Sequence, residues 1–247
     1  MIRLYGITEK GNSVCLIVEN FYPYFYVLKP PDFTEDLIEE FKEELINKIV
    51  AKQKQPNYIK SIEIIEKINI YNYTDKTQDY IKIILYQPKN VSLLRDLFEK
   101  GFGFNGIIFD RITYESKINF PLRFMIDNNI VGMSWVKIPS NKYEIKKYKI
   151  SHCQIECWCD VENIEPLSTS GDYSIIAPLR ILSIDIECTS EGGRFPIPEK
   201  DAVIQISNIC IEFGKSNEPI IQKMFSYKKC ADIVGVDVHS YDDEKKC

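Results

Sequence analysis

The sequence has no excess of positive charge. Its 31 Lys and Arg stand against 36 Asp and Glu, a formal net charge of −5. That argues against a wholly basic nucleic-acid coat, though a local basic patch is still permitted. It has no apolar run long enough to span a bilayer. The first residues, "MIRLYGITEKGNS", alternate and then turn, so they are no secretory signal. A soluble, intracellular chain with no membrane partner is expected. Histidine is scarce. His152 and His239 have no Cys or Ser arrangement that suggests a catalytic triad, so both are expected to be structural or surface residues.

Cysteine is not scarce: there are 8. Without a secretory signal, a disulfide framework is not expected. The cluster "HCQIECWC", His152 to Cys159, invites a metal reading, but its spacing is not that of a zinc knuckle and no second pair follows. An amphipathic strand is expected instead. It would turn Cys153, Ile155, Cys157, Cys159 and Val161 to one face and Gln154, Glu156, Trp158 and Asp160 to the other.

With 45% hydrophobic and 27% charged residues, the composition is globular and sufficient for one large domain or two ordinary ones. "IRLYGIT" and "SVCLIVENF" read as a hairpin around "EKGN". "YPYFYVL" reads as an aromatic strand. A helix is expected over about Thr34 to Gln53, with Thr34 as N-cap and Leu37, Ile38, Phe41, Leu45 and Ile49 as its apolar stripe. Strand signals return at "SIEIIEKINIYNY" and "DYIKIILYQ". A short helix follows, holding Leu93, Leu94, Leu97 and Phe98 and stopping at Gly101. "GIIFDRITYE" reads as a strand, and "RFMIDNNIVGMSWVKIP" as two strands joined at "DNN". "KYEIKKYKISHCQIECWCDVE" reads as two more. Lys142, Lys146, Lys147 and Lys149, with Tyr143 and Tyr148 between them, form a basic patch. It reads either as a nucleic-acid surface or as a solvated strand face.

"NIEPLSTSGDYSIIAP" has the Ser, Gly and Pro content of a linker. The expected division is an N-terminal domain over 1–165, a linker over 166–178 and a second domain over 179–247. The second domain should open as a three-stranded antiparallel meander, with strands at about 180–188, 202–213 and 219–228. The expected fold class is α+β.

"ILSIDIEC", Ile181 to Cys188, reads as a buried strand, yet Asp185 and Glu187 sit inside it. Two like charges on one strand face raise each other's pKa. A divalent cation would neutralise them, and hard oxygen ligands suit Mg²⁺ or Mn²⁺. Such a carboxylate pair is the core of two-metal phosphodiester hydrolysis. Spacing alone is a weak signal. The apolar Ile184 and Ile186, expected to face a core, and the turn-permitting Gly192 and Gly193 strengthen it.

"ILSIDIEC…GRFPIPEKDAVIQIS" resembles the first exonuclease motif of B-family DNA polymerases, in the form of eukaryotic delta-type catalytic subunits. "SVCLIVENFYPYFYV", "ITYESKINFPLRFMIDNNIVGMSWVKIP", "SHCQIE" and "IAPLRILS" resemble the N-terminal region of the same subunit, in the same order. Ala202 departs from the family's usual Pro at a strand start rather than at a ligand.

The resemblance implies an N-terminal domain with OB-like and RNA-recognition-like parts, then a 3′→5′ proofreading exonuclease of RNase H-like fold. By position, Asp185 would bridge two Mg²⁺ or Mn²⁺ ions and Glu187 would bind one of them. Phe195 would lie near a frayed primer end. It further implies DNA as partner, both primer-template and a single-stranded 3′ end. A sliding clamp and accessory subunits would bind through the parent protein, and the location would be nuclear. The family's other exonuclease motifs and its polymerase domain are not in these residues. The chain is therefore expected to be a piece of a longer protein, inactive by itself, with an uncovered sheet face.

Two other readings compete. A stand-alone RNase H-like exonuclease would need further carboxylate motifs, but Asp232, Asp237, Asp242 and Asp243 read as solvated loop residues. A non-catalytic single-strand-binding or scaffold module could use Tyr22, Tyr24, Phe25 and Tyr26 to stack bases, although such residues more often fill a core.

Overall fold

Apolar residues at alternate positions open the chain as a hairpin. In the computed structural model, which describes residues 1–50, 58–70, 75–214 and 218–246, β1 (Ile2–Ile7) pairs antiparallel with β2 (Ser13–Glu19). The turn between them closes through Gly11, whose φ of +81° a side chain would strain. The chain divides into two compact units, Met1–Ser174 and Ile175–Cys247.

In the first unit the next elements are β3 (Tyr24–Leu28), α1 (Ile38–Val50), β4 (Ile59–Ile68), β5 (Thr77–Leu85), α2 (Lys89–Glu99) and β6 (Thr113–Tyr114). This is a β-α-β-β-α-β succession. The strands lie in the order β4-β5-β3-β6, and every neighbouring pair is antiparallel. Strand alternation sends Phe25 and Val27, with Ile81, Ile83 and Leu85, into one core. Phe41, Leu45 and Ile49 of α1 and Leu94 and Phe98 of α2 meet them there. Phe33, Phe41, Phe98, Phe102 and Phe109 form the centre of that core, with the Phe41 and Phe109 rings stacked at 5.1 Å.

The expected helix at 34–53 starts as a 3₁₀ turn, Glu35–Leu37, before α1. Thr34 has extended N-cap dihedrals but makes no side-chain capping bond. The expected reach to Gln53 lies outside the described residues. Gly101, at φ +101°, stops α2 as expected.

"GIIFDRITYE" is not one strand. Ile107–Ile108 turns back on Gly103–Phe104, and Thr113–Tyr114 joins the larger sheet. Of the two strands expected in "RFMIDNNIVGMSWVKIP", the first is instead α3 (Phe120–Asp127), and the second is reduced to Val136–Lys137, paired with Glu165–Pro166. Pro121 sits in its first turn, where a missing N–H costs nothing. Phe120 and Phe124, four residues apart, both pack on Phe21. Asn129, at φ +54°, follows the helix end.

The hairpin sheet is completed by β7 (Tyr143–Ile145) and β8 (Ile155–Asp160), in the order β1-β2-β8-β7, with β8 parallel to β2. Cys157 and Cys159 lie in a second core with Leu16, Val18 and Phe124. Burial pushes both thiols up, Cys159 to about 11, so they pack as small apolar groups. Among the described residues no cluster of three or more His, Cys, Asp or Glu could hold a metal ion. Glu156 departs from the expected outward face. It is 1% exposed, because its carboxylate accepts the backbone N–H groups of Ile150 and Ser151.

The second unit holds β9 (Arg180–Cys188), β10 (Val203–Glu212), β11 (Ile221–Tyr227) and β12 (Asp237–Tyr241), in that sheet order. The expected antiparallel meander is its first three strands. β12 is an addition, parallel to β11, so Asp237 lies in a strand and not in a loop. No helix of the described residues is long and apolar enough to cross a membrane.

Candidate functional site

Asp185 and Glu187 sit two residues apart on β9, and therefore on one face of it, about 7 Å apart along the strand. Across the ladder Asp185 faces Ser207 and Glu187 faces Gln205, so no cation of the neighbouring strand stands opposite either carboxylate. Directly after Glu187 the register slips, because Cys188 pairs with Val203. Irregularities of this kind re-aim side chains and recur beside active sites.

The sheet reverses one expectation about this strand. β9 is an edge strand, and Ile184 and Ile186 are 57% and 53% exposed. Ile181 and Leu182 are exposed as well. The strand is not buried, since no described helix of its own unit covers it. Asp185 and Glu187 are open to solvent.

The loop that follows is held at both ends. Thr189 N–H donates to the Ala202 carbonyl at 2.8 Å, and Ala202 N–H donates to Thr189 Oγ1 at 2.9 Å. Gly192 and Gly193, at φ +66° and +69°, turn the chain. Arg194 then reaches Asp201 with both nitrogens, at 2.5 and 2.9 Å. Ile197 N–H adds a third bond to the same carboxylate at 2.7 Å. Arg194, helped by Ile197 N–H, holds the Asp201 carboxyl below its usual range. Phe195, between the clamped residues, is 91% exposed. Sequence reading missed this Arg194–Asp201 clamp. The one available signal was an opposite-charge pair bracketing a proline-containing loop.

Asp237, expected to be solvated, binds His239 Nε2 at 3.0 Å and Lys223 Nζ at 3.3 Å. These two hold its titration low. His239 stacks on Phe225 at 5.4 Å, in keeping with a structural role. Of the aromatic run, Phe25 and Tyr26 are buried. Tyr24 donates to Asp127 at 2.6 Å and accepts from Arg123 at 3.2 Å. Arg123 also pairs with Glu115 at 2.5 Å. Burial, then Asp127, pushes the Tyr24 phenol well above its ordinary value. Tyr24, Arg123 and Glu115 border a cavity of about 220 Å³, lined also by Arg95 and Lys117.

Comparison with known proteins locates these features. Residues 111–246 match the family model described as DNA polymerase family B, exonuclease domain. Residues 20–92 match that of the DNA polymerase delta catalytic subunit-like N-terminal domain. The DNA polymerase delta catalytic subunit of Arabidopsis thaliana is 38% identical over 251 residues, covering 100% of this chain and 23% of that protein. The Dictyostelium discoideum subunit is 43% identical over 248 residues, covering 96% and 22%. The chain thus spans less than a quarter of the length of these relatives. In fold it is similar to the family B DNA polymerase from the hyperthermophilic archaeon Pyrobaculum calidifontis, with a TM-score of 0.59 and 22% identity over 92% of this chain and 24% of that one. With more than half its residues inside the exonuclease-domain model and a delta-like match ahead of it, the chain belongs to DNA polymerase family B.

Proposed function

We propose that the chain is the N-terminal segment of a delta-type replicative DNA polymerase, a DNA-directed DNA polymerase that proofreads by 3′→5′ phosphodiester hydrolysis. The observation that carries this reading is the Asp185 and Glu187 pair, on one face of a strand inside the exonuclease-matching residues and next to a break in register.

The donor set suits a hard cation: two exposed carboxylates, with no cation opposite them on the neighbouring strand. Asp185 and Glu187 would hold Mg²⁺ or Mn²⁺. Bound divalent ions would supply activation of water and stabilisation of charge on the reacting phosphate. Two carboxylates fill only part of an octahedral shell. Among the described residues no third ligand joins them, so this chain alone is expected to bind metal weakly. Phe195, exposed on the clamped loop, would meet an unpaired 3′ end.

The complete protein's partners on this reading are primer-template DNA, a single-stranded 3′ end, a sliding clamp and accessory subunits, in the nucleus. The β-α-β-β-α-β order over 24–114 supports an RNA-recognition-like part. The hairpin sheet would be the OB-like part, residues 166–178 the linker, and β9 to β12 the first strands of an RNase H-like exonuclease domain.

The test is a 5′-labelled single strand with Mg²⁺. In the complete protein, Asp185→Ala with Glu187→Ala is expected to abolish 3′→5′ degradation while primer extension persists. The 247-residue chain by itself is expected to degrade nothing. Exonuclease activity that survives the double substitution overturns the site assignment. Activity in the isolated chain that Asp185→Ala abolishes overturns the view that the site here is partial.

A further inference from the structure

We infer that Lys142–Ile150 is a contact surface for single-stranded nucleic acid, with Tyr148 stacking on a base and Lys142 and Lys147 meeting phosphates. The inference deepens the DNA-polymerase reading by naming where unpaired strand would lie.

Residues 142–149 contain four lysines and one glutamate, in a chain whose net charge is −5. Two of the lysines build the segment. Lys149 Nζ donates to the carbonyls of Cys153 at 2.8 Å and Gln154 at 3.2 Å. Lys146 neutralises Glu144 at 2.8 Å and lies over the Trp158 ring at 5.0 Å. Lys142 and Lys147 are exposed.

A lysine-rich surface loop would ordinarily be solvated and loose. This one is anchored. Burying a carboxylate is costly unless it is well bonded. Glu156, buried on β8, accepts Ile150 N–H with both oxygens at 3.1 Å and Ser151 N–H with one at 2.8 Å. Its carbonyl accepts Lys146 N–H at 3.0 Å. β7 is meanwhile in register with β8, Tyr143 opposite Cys159 and Ile145 opposite Cys157.

The outward side of this fixed segment is apolar and aromatic. Tyr148 is 86% exposed, with Ile150 and Tyr143 also exposed. Exposed rings interleaved with cations are the elements of a single-strand platform, since an unpaired base offers its face and the backbone its charge. A duplex offers Tyr148 no base face.

The test is fluorescence anisotropy of the purified chain with a labelled oligothymidylate of about 16 nucleotides. It is run in EDTA across a salt series. EDTA removes divalent ions, so the result does not depend on the carboxylate site, and either proposal can fail alone. Tyr148→Ala is expected to weaken binding about fivefold or more, and Tyr148→Phe to retain it. Lys142→Ala with Lys147→Ala is expected to flatten the slope of log affinity against log salt by about 1.4. All three sites are on the surface, and unchanged unfolding transitions establish that the variants fold. Affinity indifferent to Tyr148→Ala overturns the proposal. So does equal binding of a duplex of the same length. So does absence of binding together with self-association or protein capture that Tyr148→Ala removes, which would make the surface a protein interface.

Discussion

Asp201 fixes a loop with one carboxylate. Three donors converge on it, two from Arg194 and one from the Ile197 backbone. Its folded-state pKa lies below the ordinary 3.8. A depressed carboxyl contributes stability above its unfolded pKa and loses it as pH falls through the folded value. The clamp is therefore expected to be intact at neutral pH and to open only below about pH 4. Hydrogen exchange at the Ile197 amide checks this: protection should fall below that pH, and in Asp201→Asn it should already be low at pH 7. Protection of Ile197 in the variant equal to that of the parent chain would refute the clamp. Phe195 is the contrast, since its ring touches little. Phe195→Ala should leave chain stability within about 0.5 kcal/mol, so any loss it causes in strand degradation by the complete protein reports substrate contact.

At the scale of elements, α1 carries the larger core of the first unit. Phe41 packs against Phe33, Phe98, Phe102, Phe104 and Phe109. Phe41→Ala is expected to cost about 3–5 kcal/mol by denaturant unfolding, and a loss below 1 kcal/mol would contradict that packing. This helix was legible because Leu37, Phe41, Leu45 and Ile49 repeat at helical spacing over several turns. α3 was not legible. It is 8 residues long, and in "RFMID" an apolar run that short has no period that separates strand from helix. The deciding contact, Phe124 on Phe21, is remote in sequence. β12 was missed for a related reason: "DVHSY" has only one strongly apolar residue, and its pairing with β11 is set by the sheet. Asp185 and Glu187 were legible because carboxylates in an apolar strand are anomalous. Asp201 was not, because its partner is defined only by the fold of the loop.

At the scale of the whole molecule the two units differ in how much they bury. Both hydrophobic clusters lie between Ile2 and Ile164. In Ile175–Cys247 the buried apolar residues, among those described, are Cys210 and Met224. Ile181, Leu182, Ile184, Ile186, Ile209 and Ile221 of the same sheet are exposed. Apolar burial is the main favourable contribution to folding. The second unit should therefore open at low free energy while the first remains closed. Hydrogen exchange of the intact chain is expected to show β9 and β10 amides exchanging orders of magnitude faster than those of β5. The edge of β9, exposed and free on one side, should also promote association. Sedimentation is expected to show weight-average mass rising with concentration, and Leu182→Lys with Ile184→Lys to suppress that rise. If this sheet is the start of an exonuclease domain, then in the complete protein the same β9 amides should become slow and the association should vanish. β9 protection as strong in the isolated chain as in the complete protein would mean that the sheet is already finished here, and the proposal that its site is completed by further residues would fall with it.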